Sequence, residues 1–277
     1  MNALRRLGDR GPQRAVLLHP TVRRAVAMLL RLRFVPDAWR LSRPLRFLYD
    51  DLVGGCVGCH EISGTPHRLL LPHGRPFITL ELVHDVFGAK EYEPPEPLAT
   101  ALPDAPAILD VGANVGAFAA FAVERWPGST ITCVEPDPTN LAILRSMNAL
   151  NHLNLSVIDA GASNRAGSTR FRSGLGSGSY VDSSGDDTVD LIDIFPLLMS
   201  SDFVKMDIEG SEWPILRDPR LRLLEDVCFV IEYHRKGAPE LPARQAAIDL
   251  FTRANFTTGF GHDNYWGHGI LWAWKYA

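Results

Sequence analysis

The chain has 277 residues, which suits one domain with an extension or one domain with a small second one. Hydrophobic residues make up 46% and charged residues 22%. This is ordinary for a soluble globular protein, and no uncharged apolar run reaches the roughly 18 residues that a membrane span requires. The four cysteines are scattered and the first residues lack the apolar core of a secretion signal, so we expect a cytoplasmic protein.

Charge is distributed unevenly along the chain. Residues 1–50 carry eleven Arg and three Asp, a balance of +8, whereas the remainder carries 17 basic and 29 acidic residues, a balance of −12. Such a basic face meets something anionic, which is a membrane surface, a phosphorylated substrate or the acidic remainder of the chain. Because no strongly basic patch occurs elsewhere, we do not expect nucleic acid as a partner.

The first predicted element is a basic amphipathic helix at residues 21–34, which begins after Pro20. Its apolar positions recur at helical spacing and are Val22, Val26, Leu29 and Leu30. Two interpretations stay open. The helix lies at a membrane surface as a peripheral contact, or it packs on its own domain.

Residues 35–97 contain two predicted short strands, at 69–71 and 77–82, with a turn at His73 and Gly74 between them. Prolines at positions 94, 95 and 97 then interrupt the chain. We therefore place a boundary here. Residues 1–97 form an N-terminal helical and β extension that could cap a substrate, and residues 98–277 form the main domain.

From residue 98 onward, predicted strands alternate with predicted helices. The strands cover residues 107–111, 130–134, 155–158, 203–207 and 227–233, and the helices run to about 126, over 138–148, from about 213 and over 243–254. Two aromatic-rich strands, near 257–259 and 270–275, come last. This order predicts an α/β fold with a doubly wound, mostly parallel sheet, helices on both faces and an antiparallel edge.

The segment from Asp110 to Gly116 reads Asp-Val-Gly-Ala-Asn-Val-Gly and lies where a strand ends and a helix begins. Open α/β sheets bind ligands at this end of their strands. Gly112 allows a tight turn and a close approach of the ligand, and Gly116 allows the helix to pack near the loop. Glu135 and Pro136 end the next strand, where a carboxylate can accept hydrogen bonds from both hydroxyls of a ribose.

These elements favour S-adenosylmethionine (SAM) over a nicotinamide dinucleotide. A dinucleotide loop reads Gly-x-Gly-x-x-Gly so that its N–H groups contact a pyrophosphate, whereas this loop reads Gly-x-x-x-Gly. Asp110 would repel a pyrophosphate and attract the cationic amino group of SAM. A nicotinamide-dependent oxidoreductase and a non-catalytic, membrane-associated SAM-binding scaffold are the two alternatives.

Further polar residues follow the third and fourth predicted strands. Asp159 and Ala160 stand where a side chain or a backbone N–H can meet an adenine, or where the chain turns at the surface. Strand alternation places Lys205, Asp207 and Glu209 on one side of the fourth strand. Because three charges at the end of an apolar strand are costly to place, we interpret them as functional.

Four motifs make the chain resemble the FkbM family of SAM-dependent methyltransferases over about residues 91–234. They are Leu-Asp-Val-Gly-Ala-Asn-Val-Gly at 109–116, Val-Glu-Pro-Asp at 134–137, Ala-Ser-Asn-Arg-Ala-Gly at 162–167 and Lys-Met-Asp-Ile-Glu-Gly-Ser-Glu at 205–212. The resemblance implies a Rossmann-like class I methyltransferase sheet of seven strands. It also implies O-methylation of a small molecule or glycan, such as a sugar, a polyketide or another secondary metabolite.

The resemblance further implies roles for individual residues. Four of them surround the methionine end of SAM and are Asp110, Gly112, Asn114 and Gly116. Glu135 holds the ribose, and Asp207 lines the pocket near the transferred methyl group.

Methylation of a hydroxyl requires removal of its proton. The base is His234 or Asp207, because the fifth strand brings Glu232 and His234 to the same rim as the fourth. Alternatively Asp207, Glu209 and Glu232 hold a divalent cation that lowers the pKa of the hydroxyl.

An isolated Cys-x-x-Cys-His run occurs in the N-terminal region, at Cys56, Cys59 and His60. Three roles stay open for it: a zinc site completed by His67, a loop that faces the substrate, or plain packing.

Overall fold

The computed structural model describes residues 32–73, 78–174, 178–240, 242–263 and 267–276. The predicted helix at residues 21–34 therefore lies almost wholly outside the described residues, and both of its interpretations stay predictions. Within the described ranges, no helix has both the length and the apolar character needed to cross a bilayer.

The N-terminal region combines short helices with one β-hairpin. In chain order it contains a 3₁₀ helix (Leu32–Arg40), α1 (Pro44–Val53), β1 (Cys56–Glu61), β2 (Arg68–His73), α2 (Ile78–Val83), a π turn (His84–Gly88) and α3 (Glu96–Ala99). The two strands pair antiparallel, with Cys56 opposite His73. The predicted strand at 69–71 is confirmed by β2, whereas β1 was not predicted.

The predicted strand at residues 77–82 is wrong, because the described part of this segment belongs to α2. Thr79, Leu80 and Val83 are buried, and their spacing of three and four residues is that of one helical face. A short apolar run fits a strand and a helix equally well by its pattern alone. Packing of this face against the core selects the helix.

The main domain begins with alternating strands and helices. These are β3 (Ala107–Val111), α4 (Ala117–Arg125), β4 (Thr130–Glu135), α5 (Pro138–Asn151) and β5 (Ser156–Asp159). Four short strands and one short helix follow, namely β6 (Gly161–Ser163), β7 (Gly167–Arg172), β8 (Tyr180–Val181), β9 (Asp187–Asp193) and α6 (Phe195–Leu198). The last part contains β10 (Phe203–Met206), α7 (Glu212–Leu216), a 3₁₀ helix (Pro219–Leu223), β11 (Val227–Tyr233), α8 (Ala243–Arg253), β12 (Thr257–Asp263) and β13 (Gly269–Lys275).

Seven of these strands form one central sheet in the order β12-β13-β11-β10-β3-β4-β5. Six of them run in the same direction, whereas β13 runs antiparallel to its two neighbours, β11 and β12. The predicted doubly wound sheet with an antiparallel edge is therefore confirmed. The chain continues from β3 to β4 on one side and returns to β10 on the other. The switch point of the topology thus lies at β3 and β10, where open sheets of this kind bind ligands.

Local sequence explains why α5 begins where it does. Asp137 is the N-cap, and its carboxylate accepts hydrogen bonds from the backbone N–H groups of Thr139 and Asn140. Pro138 occupies the first helical position, where its missing N–H has no intrahelical partner to lose. The helix ends at His152, which adopts the left-handed conformation with φ of 52°.

Two hydrophobic clusters cover the two faces of the sheet. Alternating residues of β3 belong to different clusters, Ile108 to the first and Leu109 to the second, as expected from the alternation of side chains along a strand. The first cluster also includes Leu69 and Phe47 of the N-terminal region. The described residues before position 98 thus share a core with the main domain, and the boundary near residue 97 stays a prediction.

A second, four-stranded sheet follows β5 and was not predicted. Its order is β6-β9-β7-β8, with β6 parallel to β9 and β7 antiparallel to both β9 and β8. It places Phe171, Tyr180, Val189 and Leu191 beside the carboxyl ends of the central strands, where they line a cavity.

Candidate functional site

An open cavity lies at the carboxyl ends of the central strands. The residues from the central sheet and its loops that line it include Gly112, Asn114, Glu135, Pro136, Asp207 and Glu209. Five cofactor residues predicted from the sequence are therefore among its walls: Gly112, Asn114, Glu135, Pro136 and Asp207. The small sheet forms the opposite wall of the cavity. No hydrophobic periodicity in the sequence predicted this sheet.

The turn after β3 requires glycine at position 112. Gly112 has φ of +79°, and a Cβ built there would lie 1.8 Å from the carbonyl oxygen of Asp207. The backbone N–H groups of Gly112 and Ala113 both donate to the carbonyl of Val134. This turn therefore packs directly on the neighbouring loop, with no room for a side chain between them.

Glu135 is buried and already accepts three hydrogen bonds. Its Oε2 accepts from the backbone N–H of Asn114 (2.8 Å), and its Oε1 accepts from the N–H of Asp137 (2.9 Å) and the amide of Asn140 (3.3 Å). A carboxylate has about four acceptor sites, so one is left for a donor from the cavity. Burial raises the pKa of Glu135 to about 7, against the effect of these hydrogen bonds.

Asp110 does not reach the cavity. Its side chain is fully buried, and its Oδ1 lies 3.3 Å from Nζ of Lys205. The expectation that Asp110 contacts the amino group of SAM stays a prediction, and in this structure its carboxylate pairs with an internal lysine. Burial raises the pKa of Asp110, although Lys205 opposes that shift.

Three other predicted residues lie away from the cavity walls. A Cβ at Gly116 would come within 2.5 Å of the side chains of Leu144 and Met147, so this glycine leaves room for two side chains of α5 beside the start of α4. Asp159 is exposed and pairs with Arg145 at 3.2 Å, and Ala160 is buried. Direct cofactor contacts of Gly116, Asp159 and Ala160 stay predictions.

The four predicted catalytic residues do come together. His234 is buried at the end of β11, and its Nε2 lies 3.5 Å from Glu209 Oε2, 3.9 Å from Asp207 Oδ1 and 4.0 Å from Glu232 Oε1. Asp207 and Glu209 line the cavity beside this cluster. Glu209 has φ of 54°, a left-handed conformation that is uncommon for a residue other than glycine.

Glu212 supports the cluster from the side of the core and was not predicted as a site residue. It is fully buried. Its Oε1 accepts from the backbone N–H of His234 (2.7 Å) and lies 3.4 Å from Nδ1, while its Oε2 accepts from the N–H of Gly210 (2.9 Å). Its place within the motif at 205–212 is the one signal that could have identified it. Glu212 thereby fixes both the imidazole and the loop that carries Glu209.

The carboxylates decide the charge of the imidazole. Burial alone would lower the pKa of His234, but Glu212, Asp207 and Glu232 outweigh it and raise that pKa to about 10. Burial, with the nearby charge of Asp207, raises the pKa of Glu209 to about 7 and that of Glu232 to about 8. The site therefore holds one imidazolium among several carboxyl groups, two of which titrate near neutral pH.

Ligand atoms of Asp207, Glu209 and His234 lie within 4.8 Å of one another, as do those of Glu232, His234 and His268. The predicted metal set of Asp207, Glu209 and Glu232 thus surrounds His234, which would be a ligand in either grouping. Whether a cation binds here stays a prediction.

The residues present fit SAM. The free acceptor site of Glu135 suits a hydroxyl, Oδ1 of Asp207 is buried with no hydrogen-bond partner among the described residues, and the small sheet offers apolar surface for a planar base. A sheet of this order with this cavity is that of a Rossmann-like SAM-dependent methyltransferase. The model of the methyltransferase FkbM domain matches residues 110–257, more than half of the chain. The chain belongs to the FkbM methyltransferase family, and its cofactor is SAM.

Solved structures similar to this chain include one methyltransferase and two proteins solved with bound SAM. A methyltransferase FkbM from Methylobacillus flagellatus KT is 19% identical with a TM-score of 0.46, over 71% of this chain and 53% of that one. Fibrillarin from Aeropyrum pernix, solved with bound SAM, is 15% identical with a TM-score of 0.41, over 62% and 68%.

TYW2 from M. jannaschii, in complex with AdoMet, is 16% identical with a TM-score of 0.40, over 78% of this chain and 84% of that one. The chain spans about half the length of the Methylobacillus structure that it matches. The curated proteins contain no match to it. The family assignment replaces the oxidoreductase alternative.

Proposed function

We propose that this chain transfers the methyl group of SAM to a hydroxyl oxygen of a small molecule or glycan, such as a sugar or another secondary metabolite. The observation that carries the proposal is the position of Glu209. Its carboxyl group lies at the cavity wall, beside an imidazolium, with a pKa of about 7. A hydroxyl acceptor must lose a proton as it is methylated, and a base with a pKa near the working pH is suited to take it.

The walls of the cavity divide into two parts that suit the two ends of SAM. Glu135 offers its remaining acceptor to a ribose hydroxyl, and the backbone of Gly112 and Asn114 borders the methionine end. Phe171 and Leu191 of the small sheet provide apolar surface for the adenine. When bound, SAM supplies an electrophilic methyl group on a sulfonium.

His234 does not suit the role of base that the sequence suggested for it. With a pKa of about 10 the imidazole is protonated near neutral pH and has no lone pair with which to accept a proton. We assign the base role to Glu209 instead. His234 keeps Glu209, Asp207 and Glu232 together through its positive charge, and Glu212 holds the ring in place.

Binding and chemistry can be tested separately. Calorimetric titration with SAM should show micromolar binding to the wild-type chain, at least about tenfold weaker binding to Glu135→Gln and unchanged binding to Asp159→Asn, whose side chain lies outside the cavity. Labelled methyl transfer from SAM should then be screened over sugars, polyketides and other hydroxylated compounds. No SAM binding by a folded chain would overturn the proposed site. SAM binding with methyl transfer only to amines or carbons would overturn the hydroxyl acceptor.

A further inference from the structure

A second cluster of titratable residues lies between α1 and the β1–β2 hairpin. Its members are Asp50 and Asp51 of α1, His60 of β1 and His73 of β2, and all four side chains are buried. None of them lines the cavity described above. The methyltransferase site therefore gives no reason for this group.

The two imidazoles face each other. Nε2 of His60 lies 2.9 Å from Nε2 of His73, although the register places these residues opposite Leu69 and Cys56 rather than opposite each other. Phe47 packs edge-on against both rings, with centroid distances of 5.1 and 5.4 Å. This packing fixes the two Nε2 atoms next to each other.

Asp51 orients one of these rings. Its Oδ1 lies 3.1 Å from Nδ1 of His73, so that Nδ1–H can donate to the carboxylate and leave Nε2 with its lone pair. A carboxylate behind a histidine in this way is the usual support of a metal-binding imidazole. Within the described ranges, Oδ2 of Asp51 has no hydrogen-bond partner.

Asp50 completes a set of three ligand atoms. One of its carboxylate oxygens lies within 4.8 Å of ring nitrogens of both His60 and His73, while Oδ2 accepts from Arg46 Nε at 2.8 Å. Arg46 is largely exposed. Burying two carboxylates is costly in free energy when one surface cation, Arg46, is their partner. A divalent cation at the imidazoles would balance their negative charge.

Gly58 makes the arrangement sterically possible. A Cβ at position 58 would lie 2.2 Å from Nε2 of His60 and 2.8 Å from Nε2 of His73. The ring of His60 therefore occupies the space that any side chain at this position would take. Glycine is required here by the close approach of the two Nε2 atoms. The backbone conformation does not require it, because φ of Gly58 is not in the left-handed region.

We propose that Asp50, His60 and His73 bind a divalent transition-metal ion of the zinc type, with Asp51 as the supporting carboxylate. Two imidazole nitrogens and one carboxylate oxygen are ligands that suit zinc, and three protein ligands leave a fourth position for water. The ion connects α1 to both strands of the hairpin and so stabilises the N-terminal region. This site differs from the zinc set that the sequence left open, because Cys56 and Cys59 are exposed and His67 pairs with Glu124 at 3.2 Å.

Zinc titration of the metal-free full-length chain is the first test. Wild type should bind Zn²⁺ and gain thermal stability as it does so. Asp51→Asn should weaken binding roughly 10–100-fold, as removal of a supporting carboxylate does. His60→Gln and Gly58→Ala should weaken it at least as much. Cys59→Ser, on the opposite face of β1, and His234→Gln, which breaks both groupings in the cavity, should keep this binding.

Anomalous diffraction at the zinc edge from a crystal of the wild-type chain removes any dependence on how the variants fold. A peak among Asp50, His60 and His73 supports the site. A peak only near His234, no peak from a zinc-soaked crystal, or equal Zn²⁺ affinity of folded His60→Gln and wild type would overturn it and leave a buried hydrogen-bonded pair of histidines.

Discussion

Lys205 and Asp110 are register partners on the adjacent parallel strands β10 and β3, and their side chains form a buried ion pair with Nζ 3.3 Å from Oδ1. Lys205 also donates to the carbonyl oxygen of Gly112 at 2.7 Å. Burial alone would lower the pKa of Lys205, but Asp110 and Asp207 outweigh it and raise that pKa. Asp110 therefore fixes the side chain of Lys205, and Lys205 in turn fixes the backbone turn at Gly112.

Replacing this lysine should destabilise the fold. Lys205→Met leaves Asp110 buried without its partner, which typically costs about 3–5 kcal/mol when a buried pair is broken. Urea unfolding followed by circular dichroism should show a correspondingly lower midpoint. Lys275→Met, at a surface lysine that contacts the carbonyl of Arg222, should stay within about 0.5 kcal/mol of wild type. Equal midpoints for both variants would mean that the pair has no structural role.

The turn after β3 should not tolerate a methyl group. Gly112→Ala places a Cβ 1.8 Å from a backbone oxygen at a residue with φ of +79°, so both strain and overlap oppose it. We expect a loss of several kcal/mol or failure to fold, measured by the same unfolding experiment. At Gly167 a Cβ would meet no atom within 4 Å. Gly167→Ala should therefore have a stability close to wild type, and a similar loss there would contradict the steric argument.

The proposed base gives a direct prediction for the rate. Glu209→Gln keeps the size of the side chain and removes its ability to accept a proton, so kcat for the best acceptor should fall about 10²–10⁴-fold. SAM affinity should change much less, as calorimetry would show. Glu61→Gln, at an exposed glutamate paired with Arg68, is the matched control. A Glu209→Gln enzyme with near-normal turnover would exclude this residue as base.

The pH dependence of kcat/KM should reflect the titration of Glu209. A base works only when it is deprotonated, so kcat/KM should rise with pH through about 7, the pKa of Glu209. The profile should fall again near pH 10, where His234 loses its proton and the cluster loses its positive charge. In Glu209→Gln the limb near pH 7 should disappear. A profile that is flat from pH 5 to 9 would contradict the assignment.

Metal dependence separates the two mechanisms that remained open for the acidic cluster. If carboxylates act as bases without a cation, turnover should be unchanged after dialysis against EDTA. If Asp207, Glu209 and Glu232 hold a cation, turnover should fall and return with Mg²⁺ or Mn²⁺. We expect the first result, because His234 already supplies positive charge among these carboxylates.

Glu135 should make stability depend on pH. Its pKa is raised from 4.5 to about 7 in the fold, mainly by burial, so the folded state holds a proton that the unfolded chain releases between these values. The free energy of unfolding should therefore fall as pH rises from about 4.5 to about 7, by up to roughly 3 kcal/mol. Urea unfolding at pH 4.5 and 7.5 should show a smaller decrease for Glu135→Gln than for wild type. Identical decreases would contradict this role.

Much of the central sheet could be predicted because its signals are local. The strands at 107–111 and 227–233 were predicted to the residue, and β4 to within one. Apolar runs bounded by glycine, proline and acids mark buried parallel strands, and their carboxyl ends meet at one edge of a sheet. Glu135 and Asp207 therefore line one cavity, and His234 lies beside Asp207.

The order of strands and helices, the glycine turn after β3 and the acids at the strand ends were determined by the sequence itself, since each depends on neighbouring residues and on spacing. Tertiary structure alone decided the rest. Residues 78–83 form a helix because one face of this segment packs against the core. The side chain of Asp110 is buried because its register partner is a lysine. The side chain of His60 contacts His73 rather than the neighbouring cysteines, because burial and long-range strand pairing bring together groups that no local pattern relates.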